Sequence, residues 1–330
     1  MEHGAENNAV TLASERAKKD ACGSVTAAGP YRCSLYFVIV PRAMVSSRDK
    51  RPTLPPRNRC GRTLYGVREL RIVKPDDRYA ELAAAVERHE FELHFQPIVR
   101  VSDGMVVGAE ALARWNHPVH GLLGAEAFID ESERSGLIVA LGSLLLMDGL
   151  SQLRAWGERL HGTGFVLNVN VSVRQFERPG FAALVLSLLD ALEVDPIHVC
   201  LELTETAEAV RSLDLIRENL RRLRACGVGI AVDDFGAGYT SLSMLRELDI
   251  SVLKLDRLFV TRLVENPHDR KVVAALLAMA RGLDLSVIAE GVETREQAEI
   301  LAGITCPLAQ GYLYGPPVTR KLFEQNYMHR

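Results

Sequence analysis

Cysteine is sparse and unpatterned in this chain of 330 residues. Cys22, Cys33, Cys60, Cys200, Cys226 and Cys306 form no C-x-x-C pair and recur at no fixed spacing. That argues against a disulfide framework and against a thiolate metal site, and leaves ordinary thiols of a reducing compartment. Long apolar runs are missing from the start of the chain. "MEHGAENNAV" offers acids and amides where a signal peptide needs a basic start and an apolar stretch, and "LYFVIV" is far too short to span a bilayer. The expectation is a cytoplasmic protein without a transmembrane segment. A large excess of one charge is absent too: the net charge is −3, so no stable nucleic-acid partner is expected.

What charge there is lies unevenly. Residues 1–78 hold 15 Lys/Arg against 8 Asp/Glu, whereas residues 79–330 hold 24 against 34. The first segment shows no sustained period, and "SSRDKRPTLPPRNRCGR" has the arginine, lysine and proline content of a linker. Residues 1–78 are therefore read as a basic, largely disordered region, 79–325 as one folded domain and 326–330 as a tail.

From "DRYAELAAAVERHEFELHFQPIV" onward a helical period runs into an alternating strand, and short apolar strands then take turns with amphipathic helices. The strand segments are "FELHFQPIV", "MVVGAEALARW", "GFVLNVNVS", "HVCLELTE", "GIAVDDF", "VLKLD", "SVIAEGVE" and "AQGYLYG". Alternation of this kind predicts a parallel sheet, and this many strands predict a closed (β/α)8 barrel of the TIM type.

Barrel chemistry sits at the C-terminal strand ends. Here those ends carry Glu110, Asn170, Glu202, the pair Asp233 and Asp234, Lys254, Glu290 and Gln310. Any one of them reads equally well as a solvated strand exit; their recurrence at exit after exit does not. Strand parity puts Glu110, Leu112 and Arg114 on one face, and Asn168 and Asn170 on one face of the next strand. Five carboxylates against one lysine cannot all remain ionised in a partly dry cup unless cations join them. Oxygen donors without cysteine or clustered histidine specify Mg²⁺ or Mn²⁺ rather than zinc. Adjacent aspartates at a turn can serve two ions, and two ions suit hydrolysis of a phosphate ester, with the planar fork of Arg114 matching phosphate oxygens.

"FQPIV", "GAEALARW", "NVNVSVRQF", "LELTE", "DDFGAGYTSL", "LKLDRLFV", "AEGVET" and "QGYLYG" follow one another in this order. The set resembles the EAL-domain phosphodiesterases of the bacterial second messenger cyclic di-GMP, from about residue 79 to about 325. The resemblance implies hydrolysis of cyclic di-GMP to linear pGpG, with two Mg²⁺ or Mn²⁺ ions per site. It implies Glu110, Asn170, Glu202 and Asp233 around the first ion, and Asp233, Asp234 and Glu290 around the second. Lys254 would hold the attacking water, Glu290 would join in activating it, and Gln96, Leu112, Arg114 and Gln310 would contact the dinucleotide. Glu205, Glu293 and the loop from Phe235 to Leu242, with Thr240 where the family has serine, would couple metal binding to activation and to a homodimer formed through this domain. "YGPPV" stands where "FGRP" is commoner. The alternative reading is an EAL-type cyclic di-GMP receptor with little or no turnover.

Overall fold

In a computed structural model the chain is described over residues 75–160, 162–203, 213–236 and 248–328. The basic region up to residue 74, and with it Glu205 and Thr240, lies outside the described residues.

The domain starts with α1 (Pro75–Glu87), followed by strands β1 (Phe91–Arg100), β2 (Val106–His117) and β3 (Gly121–Leu123). Helices α2 (Ile129–Ser135) and α3 (Ile138–Leu160) lead to β4 (Val166–Val171), then α4 (Val173–Phe176), α5 (Phe181–Ala191) and β5 (Val199–Leu203). Beyond these come α6 (Leu213–Ala225), β6 (Gly229–Phe235), β7 (Val252–Leu255), α7 (Arg257–Thr261), α8 (Pro267–Gly282) and β8 (Ser286–Ala289). The chain closes with α9 (Arg295–Gly303), β9 (Leu308–Gln310), β10 (Val318–Thr319) and α10 (Arg320–Tyr327).

The strands run in the order β1-β9-β8-β7-β6-β5-β4-β2, and β2 pairs back to β1, which closes the ring of eight strands that the alternating pattern predicts. One strand departs from the parallel sheet. β1 is antiparallel to both of its ring neighbours, pairing Gln96 with Glu110 on β2 and Ile98 with Gln310 on β9. The cause is the short link of residues 101–105, since parallel neighbours need a crossover of a dozen or more residues and a hairpin does not. The reversed strand still brings Gln96 level with Glu110. At the other end of the motif series, "AQGYLYG" is strand only through Gln310, and the chain then turns.

The helices close over the barrel because each buries one face. α3 puts Leu146, Leu150, Leu153 and Trp156 into the main core, with Trp156 stacked on Phe323 of α10 at 5.4 Å. By length and composition α3 could cross a membrane, but its apolar face is the packing face of a core helix. A second cluster under α1 gathers Leu82, Trp115, Phe128 and Leu141. Full burial of side chains this size contributes roughly 1.5–3 kcal/mol each, which fixes the rigid wall from which the strand ends project.

Candidate active site

Three charged side chains lie inside the barrel mouth with almost no exposure: Glu110 from β2, Glu202 from β5 and Lys254 from β7. Lys254 Nζ is 2.8 Å from Glu202 Oε2, 2.8 Å from Glu290 Oε1, 3.0 Å from Asp233 Oδ1 and 3.4 Å from Glu110 Oε2. One ammonium thus faces four carboxylates. Asp234 adds a fifth acid beside them.

The acids are not equivalent. Burial works to raise Glu110, but Lys254 and the amides of Gln310 and Asn170 outweigh it and hold this carboxyl below its ordinary value. Burial and the charge of Glu110 push Glu202 well up, with Lys254 opposing. Glu290 is pushed up to about 8, first by burial and then by Asp233 and Glu110, again against Lys254. Burial and the neighbouring Asp233 and Asp256 lift Asp234 to about 6. The four carboxylates in turn raise Lys254 well above its usual value in spite of its burial. Such splitting is the signature of too much negative charge for one cation.

How two consecutive acids reach one mouth is settled by the backbone. Neighbours on a regular strand point to opposite faces, but the pairing of β6 with β7 shifts register between Val232 and Phe235, and Asp234 has φ 53°. The left-handed residue swings the chain round, and its N–H donates to Asp233 Oδ1 at 3.1 Å. Gly236 completes the turn at φ 96° with its Cα against the ring of Phe259, where a side chain has no room.

Two overlapping oxygen sets result. Glu110, Glu202 and Asp233 form one, Asp233, Asp234 and Glu290 the other, and within each set the ligand atoms lie within 4.8 Å of one another. Asp233 belongs to both. Asn170 adjoins the first set, donating from Nδ2 to Glu110 Oε1 at 2.7 Å. No histidine or cysteine takes part, so the donors fit hard divalent cations, and the raised carboxyls are the groups that such charge would return to the ionised state.

A cleft of about 400 Å³ opens above the acids, lined among others by Gln96, Leu112, Arg257, Glu293, Gln310 and Tyr312. A more apolar cleft of about 360 Å³ adjoins it between β2, β4, α2 and α3, sharing Glu110, Leu112 and Asp233. Gln310 Nε2 donates to Glu110 Oε2 at 2.6 Å and to Gln96 Oε1 at 2.8 Å, while Gln96 Nε2 donates to the carbonyl of Gly315. The buried Oε1 of Gln310 has no hydrogen-bond partner among the described residues. Glu293 reaches the same cleft because α9 begins with a capping box, in which Gln297 Oε1 accepts from the N–H of Glu293 and of Thr294. Arg114 is the exception among the predicted residues that are described: its Nη1 donates to the carbonyl of Ala113 at 2.9 Å, and it lines neither cleft.

Four residues of this region carry no assigned role in the sequence reading. Asp256 shares the face of Lys254 and caps α7 by accepting from Leu258 N at 2.7 Å. Arg257, the first residue of α7, and Tyr312, in the turn after β9, both come after strand ends, where parity gives no warning. Asn168 shares a face with Asn170, and its Nδ2 donates to Glu202 Oε1 at 2.7 Å. The histidines and tryptophan beside the motifs are structural: His94 bonds Glu92, His117 bonds Glu81, and Trp115 donates to Glu90.

Comparison with known proteins agrees with this geometry. The EAL domain model matches residues 80–317. MucR of Pseudomonas aeruginosa, a bifunctional diguanylate cyclase/cyclic di-GMP phosphodiesterase, is 40% identical over 238 residues, 72% of this chain and 34% of its own. NbdA of the same organism, a cyclic di-GMP phosphodiesterase, is 40% identical over 248 residues, covering 74% and 31%. The chain spans about a third of the length of these curated relatives. Among solved structures, the MucR phosphodiesterase in complex with cyclic di-GMP superposes with a TM-score of 0.69 at 39% identity, covering 74% of this chain and 99% of that one. The EAL enzyme Bd1971, bound to cAMP and cyclic di-GMP, gives 0.72 at 32% identity, covering 76% and 68%. A barrel with one reversed strand, an acid-lined mouth and a match that runs through nearly all of the described domain place this chain in the EAL domain family.

Proposed function

We propose that the chain is a cyclic di-GMP phosphodiesterase that opens one phosphodiester bond of the cyclic dinucleotide to give linear pGpG. The observation that carries this reading is the pair of oxygen sets sharing Asp233 at the floor of an open cleft, in a family whose relatives MucR and NbdA are named for that activity. In this reading Glu110, Asn170, Glu202 and Asp233 hold one Mg²⁺ or Mn²⁺, and Asp233, Asp234 and Glu290 hold a second. When bound, such ions supply acidity to water and neutralise charge on a displaced phosphate oxygen.

The protein's own groups do the rest. Lys254 lies between the two oxygen sets and hydrogen-bonds the attacking water, its charge held by the surrounding carboxylates. Glu290, with Oε1 2.8 Å from Lys254 Nζ, is placed to take the proton that this water gives up once bound ions have returned it to the carboxylate form. Gln96 and Gln310, bonded to each other and through Gln310 to Glu110, line the cleft and position the dinucleotide there. Leu112 packs against it where the two clefts meet. Arg114 engages a phosphate by leaving the Ala113 carbonyl. Glu293, together with Glu205 and Thr240, belongs to the part that couples ion binding to activation and to pairing of two copies of the domain.

The test is incubation of the purified chain with cyclic di-GMP and Mg²⁺ or Mn²⁺, followed by chromatographic separation of the nucleotides, with Asp233→Asn alongside. Metal-dependent pGpG that disappears in the variant is the expected outcome. Cyclic di-GMP binding without product assigns the chain to the receptors, and neither binding nor product refutes both readings.

A further inference from the structure

Asn168 sits on β4 two residues before Asn170 and in register with Glu110 of β2, with its side chain 3% exposed. The layer around it is mostly apolar. With Ile98, Val166, Cys200, Val252 and Ile288 it lines a cavity of about 380 Å³ that opens toward the opposite end of the barrel. Packing there favours a hydrocarbon side chain, and a buried amide costs free energy unless its hydrogen bonds are made. The bond it makes is to an acid of the proposed ion site: Nδ2 donates to Glu202 Oε1 at 2.7 Å, while Glu202 Oε2 meets Lys254 Nζ at 2.8 Å.

We propose that Asn168 is a positioning residue of the hydrolytic site, fixing the Glu202 carboxylate so that Oε1 is occupied by the amide and Oε2 is presented to the ion. This inference rests on the two-ion reading above and adds a residue to it. Glu202 is itself fully buried, and of its two oxygens Lys254 holds only Oε2. With Asn168 in place the carboxylate cannot rotate about its last bond, and its orientation is set during folding instead of at ion capture. Partners of this kind behind a metal-binding side chain typically change metal affinity by about 10- to 100-fold when removed.

The experiment measures Mn²⁺ binding to the full chain without nucleotide, by the electron paramagnetic resonance signal of free Mn²⁺. Wild type is compared with Asn168→Leu, which keeps the bulk and loses the donor, and with Asn168→Ala, whose smaller side chain borders an existing cavity and serves if the leucine variant does not fold. The expected result is roughly tenfold weaker binding at one class of site, toward the low end of that range. The Mn²⁺ needed for half-maximal turnover rises by the same factor and kcat at saturating Mn²⁺ is largely restored, while the melting temperature of the chelated protein falls because Glu202 Oε1 loses its donor. A merely structural role would lower that melting temperature and leave Mn²⁺ affinity alone. A folded variant with wild-type Mn²⁺ affinity overturns the role of Asn168 while leaving the phosphodiesterase reading intact. A wild-type chain that binds no Mn²⁺ overturns both.

Discussion

Glu290 Oε1 lies 2.8 Å from Lys254 Nζ, and even so its carboxyl is pushed up to about 8. A lysine contact normally lowers a carboxyl, so burial and the charges of Asp233 and Glu110 must exceed what Lys254 returns. Between the ordinary value of 4.5 and about 8 the folded, ion-free protein keeps a proton that the unfolded chain has released. Stability therefore falls as pH rises through that window, by up to about 1.4 kcal/mol per pH unit for one proton. Asp234, raised from 3.8 to about 6, acts in the same direction at the lower end. Thermal melts of the chelated protein are expected to show a melting temperature that declines from mildly acidic to mildly basic pH. Added Mg²⁺ or Mn²⁺ should reverse the slope with release of protons. A melting temperature that rises with pH under chelation would contradict the assignment.

Lys254→Met tests the other half of this balance. Methionine has nearly the length of lysine and none of its charge, so the change removes the one cation facing Glu110, Glu202, Asp233 and Glu290 with little loss of packing. Removing one partner from a buried ion pair costs about 3–5 kcal/mol because the remaining charge is left uncompensated. Denaturant unfolding in chelator should show a loss of that size at neutral pH, shrinking in acid as the carboxylates take up protons. Turnover should fall to background even with saturating Mn²⁺, since among the described residues no second ammonium faces these four carboxylates.

Much of this site is legible in the sequence because strand parity and strand ends are local properties. The alternation in "GAEALARW" and "LNVNVS" is enough to put Glu110 and Asn170 on inward faces, and each apolar run marks its own exit. Strand direction is not local. The reversal of β1 was written only in the short 101–105 link, which is a length constraint on topology and not a periodicity. Asn168 shows a different limit: its parity is plain, yet its purpose depends on which acid lies across the sheet on β5, and pairing between strands is set by the whole barrel. Arg257 opens α7 and Tyr312 sits in the turn after β9, both beyond the strand ends where parity applies.

Asp234 separates backbone from chemistry. Its φ of 53° costs most residues about 1–2 kcal/mol, whereas Asp and Asn adopt it readily. Asp234→Asn keeps this backbone and removes a carboxyl that burial, Asp233 and Asp256 disfavour when ionised, so the chelated variant should be more stable than wild type at neutral pH and level with it in acid, where both are uncharged. Asp234→Val, β-branched at the same φ, should be about 1–2 kcal/mol less stable than the asparagine variant. Both should lose one class of Mn²⁺ site and most turnover. If the asparagine variant kept full activity, the second oxygen set would not need this carboxylate.

The turn that follows makes the last prediction, because Gly236 is held by two constraints at once. Its φ of 96° is unfavourable for any side chain, and a Cβ there would run into the ring of Phe259 on α7. Gly236→Ala should thus do more than cost stability: the backbone has to move, and the carboxylate of Asp234 two residues earlier moves with it. The expected result is a loss of more than about 1 kcal/mol in chelator together with weaker Mn²⁺ binding. The two constraints can be told apart by Phe259→Leu, which opens the space but leaves φ unchanged. In the Gly236→Ala, Phe259→Leu double variant, Mn²⁺ affinity should recover toward wild type while part of the stability loss persists, since steric contact displaces the acids and backbone strain only weakens the fold. Equal recovery of both quantities would show that the ring alone dictates glycine at this position. Recovery of neither would mean that φ does, and that packing by α7 has no part in aiming Asp234 at the site.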